Sequence, residues 1–495
     1  MNTKEIDTIE KNEGNNIPTT NEDEKKQEMK QAKKQAKKEQ KQMRRLRRKE
    51  RLLRRPPPTT FPGKHKWLGG AVDPNTGKIY GIPSHSYQVI CITPAKTDDN
   101  TDEKAKISTI PLPNQYKEGK YKWLRGLIHN NFLYGIPAWN ANGVLKVSLE
   151  SQKHKVKILP LPPLDGGDEE EKCVILENED RHKQNDHEHA DRERKFNSID
   201  RNRWMWHGGA IGNGPYGSAI YCVPSNAKRV LKVSLENDAV EEIGPTLQKG
   251  LQNKWYGGIV GRDGCIYGMP YTATGVLQID PRTDTVRILG NYPEGGYKWH
   301  GGLLAHSTGV IYAFPAHSNE VLYVDTNTKE CSNSGLENDD QSWRVSTIPI
   351  QRNEEDSDPH DLRYKWLGGS YGADGCIYGM PSDATSILRI DPLTNQATTF
   401  GKVSNTINKW QGGVLSRVDN CVYAVPADMN CVLRIDTDPD TPLNIDLVGE
   451  GFKDVEDKWQ GGFLAEDGNI YAIPENIDNV MVITPGVKPN LEILK

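Results

Sequence analysis

The stretch KWYGGIVGRDGCIYGMP, residues 254–270, carries the pattern that decides the fold. Lys-Trp-x-Gly-Gly, then Ile-Tyr-Gly-x-Pro, then Val-Leu-x-Ile-Asp recur in register eight times along the chain. Self-similarity of this kind is the signature of a repeat architecture. The repeat tryptophans are Trp67, Trp123, Trp206, Trp255, Trp299, Trp366, Trp410 and Trp459. The repeat tyrosines are Tyr80, Tyr134, Tyr221, Tyr267, Tyr312, Tyr378, Tyr423 and Tyr471, and the repeat prolines are Pro83, Pro137, Pro224, Pro270, Pro315, Pro381, Pro426 and Pro474.

Each unit predicts four short strands, which in the fourth unit are residues 257–261, 265–269, 275–279 and 285–289. Residues 262–264 (Arg-Asp-Gly) predict a hairpin turn, because glycine tolerates the positive φ that such turns require. Pro270 predicts the end of the second strand, because proline cannot donate to an interior ladder. Four antiparallel strands in roughly 45–50 residues are typical of a propeller blade. We therefore expect an all-β fold, an eight-bladed β-propeller that closes by packing without a swapped strand.

The repeats and the polar segments between them predict the domain organisation. We expect a disordered or helical basic arm at residues 1–60 and the propeller at residues 61–495. Three stretches lack periodicity and predict polar insert loops, at residues 167–200, 331–343 and 351–363.

The net charge of −4 conceals a strong asymmetry. Residues 25–55 carry 16 Lys and Arg against three Glu, a net charge of +13, whereas residues 1–24 carry −5 and the remainder −12. The basic segment is rich in helix formers and ends at Pro56. Three functions fit it: a nuclear address, nonspecific contact with nucleic-acid phosphates, and attachment to an anionic membrane surface. A solvated tail without a partner is the alternative.

The composition argues against a membrane or secreted protein. Only 35% of the residues are apolar, no run approaches the roughly 18 needed to span a bilayer, and no apolar leader follows Met1. The eight cysteines form no CxxC pair, and several stand within predicted strands. We interpret them as small buried hydrophobes and expect a monomer in an intracellular compartment, cytoplasmic or nuclear.

One repeat position varies while its surroundings do not, namely the residue between Trp and Gly-Gly. It is occupied by Leu68, Leu124, His207, Tyr256, His300, Leu367, Gln411 and Gln460. The first strand of a blade lies at the central channel, so the polar and aromatic members of this set are candidates for ligand binding at the channel mouth. The alternative is packing against the next blade. Arg125 replaces the first glycine of the second unit, either as a steric adjustment or as a charged group in the channel.

The invariant tryptophans and lysines each have two interpretations. The tryptophans form either an inter-blade packing ring, which strict repetition favours, or an aromatic platform for a ligand. The lysine before each tryptophan could form a cationic rim that attracts anions, or could lay its stem along an aromatic ring with its head in water. These rim lysines are Lys66, Lys122, Lys254, Lys298, Lys365, Lys409 and Lys458, and Met205 takes the place in the third unit.

The repeat resembles the motif of large propeller proteins from protists and algae, over residues 64–495. It is also distantly similar to six-bladed lactonase and esterase propellers, which implies a divalent cation held by oxygen ligands at the channel mouth. The position before Gly-Gly holds no carboxylate in any unit, which disfavours such a site. In the first insert, His182 and Asp186-His187-Glu188-His189 could bind zinc or remain solvated. The prediction is accordingly no metal and no cofactor.

No catalytic motif with nucleophile spacing is present in the sequence. The leading hypothesis is a non-enzymatic binding or scaffold propeller that recognises a protein or small ligand on the face carrying the Lys-Trp loops. The alternative is a cation-dependent lactonase- or esterase-like hydrolase with its site at the channel mouth. A third possibility is a passive propeller whose basic arm carries the activity.

Overall fold

The computed structural model describes residues 61 and 63–494, apart from 99–100, 117–118, 140, 151–153, 164–173, 176–193, 196–203, 328–343, 354–357, 360–361 and 450. Residues 1–60 lie outside the described residues, so the predictions for the basic arm lie there too. Across the described part of the chain, no helix has the length and apolar character needed to cross a membrane.

The described chain is all-β, and its eight sets of four antiparallel strands form an eight-bladed β-propeller. The first strand of every blade begins at the repeat tryptophan: Trp67–Val72, Trp123–His129, Trp206–Gly214, Trp255–Val260, Trp299–Ala305, Trp366–Tyr371, Trp410–Leu415 and Trp459–Leu464. The second strand of every blade ends at the repeat proline: Ile79–Pro83, Phe132–Pro137, Gly217–Pro224, Ile266–Pro270, Val310–Pro315, Ile377–Pro381, Cys421–Pro426 and Ile470–Pro474. The predicted fold class is confirmed.

The outer half of each blade comes from the third and fourth strands. The third strands are Gln88–Thr93, Gly143–Ser148, Val230–Ser234, Val276–Asp280, Glu320–Asp325, Ile387–Asp391, Val432–Asp436 and Val480–Thr484. The fourth strands are Lys106–Pro111, Val156–Pro160, Val240–Ile243, Thr285–Leu289, Val345–Gln351, Gln396–Phe400, Asn444–Val448 and Asn490–Leu494. Short hairpins pair Lys96–Asp98 with Thr101–Glu103 and Val174–Ile175 with Arg194–Lys195, and a 3₁₀ turn spans Asn114–Tyr116.

The Gly-Gly pair makes a β-bulge in the first strand of each blade. The tryptophan pairs with the proline of the second strand, and the register shifts before the second glycine of the pair. The first glycine has a positive φ in seven blades, for example 71° at Gly301, and Arg125 takes the same conformation in the second. The backbone conformation at the first site therefore favours glycine, and Arg125 is the exception.

The second glycine of the pair is required for space. A Cβ at Gly302 would lie 2.6 Å from the Tyr312 carbonyl oxygen. Because this clash is with a backbone atom, the movement of a side chain could not relieve it. In blades 1, 2, 6, 7 and 8, the notch left by this glycine receives the residue before the repeat proline of the preceding blade. Ile82 fills the notch at Gly126, Val425 that at Gly462, and Ile473 that at Gly70.

The core consists of eight apolar clusters, each shared by two adjacent blades. The cluster between blades 8 and 1 joins Tyr471 and Ile473 to Trp67 and Ile79, as the corresponding residues are joined elsewhere. Blades 1 and 8 each take all four strands from their own repeat. The ring therefore closes by packing, without strand exchange, as the sequence predicted.

Blades 5 and 6 are joined at their outer edges, which the sequence did not predict. Ile350 and Gln351 pair in parallel with Ala397 and Thr398, so the two blades form one eight-stranded sheet. Gln351 thus lies in a strand, not in the predicted insert that begins there. The insert residue Asp358 accepts hydrogen bonds from the Thr385 backbone N at 2.9 and 3.1 Å, which ties it to blade 6.

The predicted insert at residues 331–343 lies outside the described residues. In the insert at 167–200, only the backbone of the short hairpin Val174–Ile175 and Arg194–Lys195 is described, so the candidate zinc ligands His182 and His189 lie outside as well. The six cysteines of the described chain are buried and form no disulfide bonds, in agreement with the prediction.

Candidate ligand-binding site at the channel mouth

The first strands of neighbouring blades contact one another around the ring and line the central channel. At one end of the channel lie three positions from each repeat. The pre-lysine position precedes the repeat lysine, or Met205 in blade 3. The mouth position lies between the tryptophan and the Gly-Gly pair, and the post-proline position directly follows the repeat proline. We call this end of the channel the mouth.

Three of the predicted mouth residues form one aromatic cluster. The rings of His207 and Tyr256 stack with a centroid distance of 3.8 Å, and His300 meets Tyr256 edge-on at 5.1 Å. Gln411 belongs to another part of the mouth, where its Nε2 donates to Asn408 Oδ1 at 2.7 Å. Gln460 is the mouth residue of blade 8, on the far side of the ring from blades 3 to 5. The structure thus brings together three of the predicted residues and separates two.

Two tyrosines that the sequence analysis missed extend this cluster. Tyr271 stacks on Tyr256 at 4.3 Å, and Tyr297 stacks on Tyr271 at 4.6 Å. Tyr271 occupies a post-proline position where most blades carry Ser or Ala, and Tyr297 occupies a pre-lysine position. A comparison of the eight repeats at those two positions would have identified both residues.

The aromatic surface continues around the mouth on both sides of the cluster. Trp204 lies 6.1 Å from His207, and Tyr121 stacks on Trp139 at 5.2 Å with an interplanar angle of 5°. On the other side, Tyr364 meets His317 at 4.6 Å. Blades 1 to 6 therefore supply one chain of ring contacts, and we call this surface the aromatic wall.

Arg125 places a positively charged side chain at the mouth. Its φ is 61°, a left-handed backbone conformation that glycine adopts at this position in the other seven blades. A non-glycine residue in this conformation is strained by about 1 kcal/mol. The side chain is open to the channel, and within the described part of the chain its guanidinium has no hydrogen-bond or ion-pair partner. Desolvation by the surrounding protein lowers its pKa from the ordinary value.

His207 is neutral at physiological pH. Burial lowers its pKa well below the usual value, and the charges of Arg125 and His300 lower it further. Its Nδ1 is buried and has no hydrogen-bond partner among the described residues. A neutral imidazole next to an unpaired guanidinium can donate to a ligand or accept from one.

The polar loop residues after the repeat prolines have a structural function at four junctions. The second residue after the proline accepts a hydrogen bond from the pre-lysine backbone N of the next blade. The acceptors are Asn226, Asp383, Asp428 and Asn476, whose Oδ1 atoms lie 2.6–2.7 Å from the donors Asn253, Asn408, Asp457 and His65. Each of these side chains stabilises a pre-lysine residue whose φ is positive. The fold therefore explains why these polar residues recur.

The seven rim lysines are buried, so neither a cationic rim nor a solvated head group describes them. Lys365, Lys409 and Lys458 are 0% exposed. Lys66 Nζ donates to the carbonyls of Gly63 and Ile477 at 3.0 and 2.9 Å, and so joins blade 1 to blade 8. The remaining lysines likewise donate to loop carbonyls: Lys122 to Ser86, Lys254 to Ala227, Lys298 to Gly295, Lys365 to Leu362, Lys409 to Thr406 and Lys458 to Asp428.

The repeat tryptophans pack between blades and do not form a ligand platform. Each is at most 2% exposed. Each indole N–H donates to a backbone carbonyl of the third strand or the loop before it, at 2.7–3.1 Å. A fully buried indole with its N–H satisfied presents no face to a ligand.

No protein-family model and no curated protein matches this chain. Among solved structures, it is similar to a streptogramin B lyase, at 12% identity and a TM-score of 0.44 over 87% of this chain and 94% of the other. It is also similar to the virginiamycin B lyase of Staphylococcus aureus, at 14% identity and a TM-score of 0.44 over 86% and 98%. A putative 6-phosphogluconolactonase from Bacteroides uniformis matches at 13% identity and 0.35 over 57% and 80%. Likenesses this low carry no functional argument.

Proposed function

We propose that the propeller binds a small organic anion at its mouth. The acidic group of the ligand pairs with Arg125, and its planar part stacks against the cluster of His207, Tyr256 and Tyr271. The single observation that carries this proposal is Arg125, a strained cation with no partner among the described residues.

Repetition within the chain supports this assignment. Residues that recur in every blade are accounted for by packing and backbone hydrogen bonds, as shown for the tryptophans and lysines. The arginine in place of glycine and the aromatic residues of blades 3 to 5 depart from the repeat, and the charge of Arg125 is one of the causes that lower the pKa of His207. Strain and an unpaired charge are costs that a bound carboxylate or phosphate would offset.

The same geometry favours binding over catalysis. A general base is normally oriented by a hydrogen bond from its second nitrogen to a third group. Nδ1 of His207 lacks such a partner in the described chain. The cluster can therefore bind a ligand, but its described residues lack the hydrogen-bonded partner that would orient His207 for acid–base catalysis.

The test uses 1-naphthoate as the probe and the neutral 1-naphthamide as its matched control, with binding followed by quenching of tyrosine and tryptophan fluorescence. We expect Arg125→Gln and Arg125→Gly each to weaken naphthoate binding by roughly tenfold or more, because a charge-assisted hydrogen bond is lost. Naphthamide binding, which depends on stacking alone, is expected to change little. Tyr256→Ala is expected to weaken both probes.

Two variants make the outcome interpretable. Arg125→Gly restores the glycine of the other blades and is expected to fold at least as stably as the natural protein, so a loss of binding cannot reflect unfolding. Arg287→Gln removes an exposed arginine on the outer strand of blade 4 and is expected to leave binding unchanged. Equal naphthoate affinity in Arg125→Gln and the natural protein would refute the proposal.

A further inference from the structure

The junction of blades 8 and 1 brings together three side chains that commonly ligate metals. His65 and Asp457 occupy the pre-lysine positions of blades 1 and 8, and Glu475 occupies the post-proline position of blade 8. One ligating atom of each lies within 4.8 Å of the other two. His65 Nδ1 is 2.7 Å from Glu475 Oε1.

This combination occurs at one junction of the eight. The other post-proline residues are Ser84, Ala138, Ser225, Tyr271, Ala316, Ser382 and Ala427. The other pre-lysine residues are Tyr121, Trp204, Asn253, Tyr297, Tyr364 and Asn408. The fold itself is therefore built at seven junctions without a histidine and two carboxylates at these positions. The propeller fold therefore does not demand this combination of residues at the eighth junction.

Hydrogen bonds hold the backbone of His65 and Asp457 and the side chain of Asp457 in place. The backbone N of His65 donates to Asn476 Oδ1 at 2.7 Å, and the backbone N of Asp457 donates to Asp428 Oδ1 at 2.7 Å. Asn408 Nδ2 donates to Asp457 Oδ1 at 2.9 Å. Such support orients ligands in the way that outer-shell residues do around known metal sites.

A second histidine adjoins the cluster with an unused nitrogen. The ring of His85 lies 5.3 Å from that of His65, centroid to centroid. Its Nε2 is buried and has no hydrogen-bond partner among the described residues. A buried nitrogen without a partner is costly, and this one lies beside the three candidate ligands without belonging to their group.

We propose that His65, Asp457 and Glu475 bind a divalent transition-metal ion, Zn²⁺ or Mn²⁺. An imidazole nitrogen with two carboxylate oxygens suits these ions better than an all-oxygen site, which would suit Ca²⁺ or Mg²⁺. Three protein ligands leave coordination positions free for a small molecule. This site does not involve Arg125 and stands independently of the proposed function.

In the sequence, the position before Gly-Gly holds no carboxylate, and this disfavoured a metal site, whereas these three ligands occupy the pre-lysine and post-proline positions. Two of them come from the last repeat and one from the first, so the site exists only because the ring closes. The hydrolytic alternative raised by the sequence would require an ion of this kind.

The test titrates Zn²⁺, Mn²⁺, Ca²⁺ and Mg²⁺ separately into the chelator-treated full chain by calorimetry. The chain carries His182→Gln, His187→Gln and His189→Gln, which remove the candidate histidine ligands of the insert. We expect one equivalent of Zn²⁺ or Mn²⁺ to bind. His65→Gln and Glu475→Gln are each expected to weaken it by roughly tenfold or more. Asp383→Asn is the matched control, because Asn226 and Asn476 make the same backbone contact as Asp383.

Asp457→Asn serves as a second, milder variant should Glu475→Gln fold poorly, and it is also expected to weaken the ion. The proposal is wrong if no equivalent binds with the insert histidines removed. It is equally wrong if binding persists unchanged in His65→Gln, or if Ca²⁺ or Mg²⁺ binds with an affinity that His65→Gln does not alter.

Discussion

Arg125 illustrates how a single residue can be interpreted against its own repeats. The other seven blades place glycine at this position, and the backbone of Arg125 keeps the conformation that glycine prefers. The sequence showed the departure but left two explanations open. The structure adds that the guanidinium is open to the channel and unpaired within the described chain, which favours the charged group over the steric adjustment.

The repeat lysines show why some residues could not be interpreted from sequence. A lysine before a tryptophan on a loop predicts an exposed cation, because lysine is seldom fully buried. At Lys66, Lys122 and Lys254 the carbonyls of two loops converge on the ammonium, as Ile477 and Gly63 do on Lys66. No local pattern encodes this convergence, since one of the loops belongs to the preceding blade.

Burial of these lysines predicts a pH dependence of stability. Desolvation lowers the pKa of Lys409 from 10.5 to about 8. Above pH 8 the folded state releases this proton while the unfolded state still holds it, so the unfolded state binds more protons and stability rises with pH toward 10.5. We expect the natural protein to gain on the order of 2 kcal/mol relative to Lys409→Met between pH 7.5 and 10.

Urea-unfolding midpoints followed by tryptophan fluorescence across this pH range measure the difference. The exposed Lys402 provides the control, because Lys402→Met is expected to follow the natural protein at every pH. A constant gap between Lys409→Met and the natural protein would show that the ammonium is not desolvated.

The first strand is the element on which the mouth is built, and its two glycines have different functions. Gly301 has φ of 71° and open space at its Cβ position, whereas Gly302 faces the Tyr312 carbonyl. The register of the first strand shows that the first glycine allows the β-bulge and that the second glycine allows close packing.

These two glycines predict different costs for the same substitution. Gly301→Ala is expected to reduce stability by about 1 kcal/mol, because only backbone strain is added. Gly302→Ala is expected to cost about 3 kcal/mol, since its Cβ would overlap backbone atoms that cannot move independently. Urea midpoints of the two variants, measured side by side, check this order. Equal costs would contradict the division of functions.

At the scale of the whole molecule, the periodic sequence was sufficient to predict the architecture. Eight copies of the tryptophan and proline positions define the blades, and packing of Ile473 into the notch at Gly70 closes the ring. The parallel pairing of Ile350 with Ala397 was not predictable, because it depends on how far an insert extends one outer strand. The metal-binding cluster depends on closure and was equally hidden.

Closure by ordinary packing makes the last junction as strong as the others. Ile473→Ala and Ile82→Ala remove the same side chain from the same notch, at the closing junction and at the junction of blades 1 and 2. Both residues are fully buried, and each substitution is expected to cost about 2–5 kcal/mol. Thermal midpoints should fall by similar amounts. A much smaller fall for Ile473→Ala would indicate that the ring does not close through this contact.

The backbone bonds made by Asn226, Asp383, Asp428 and Asn476 have an evolutionary consequence. At these four junctions a side chain of the neighbouring blade holds the loop, so the pre-lysine residue there can be exchanged with little effect on the backbone conformation of the loop. Selectivity can then diversify by changing which blade carries a ring, a charge or a ligating atom. Proteins that evolve from such a chain are expected to keep the same propeller fold while binding unrelated ligands.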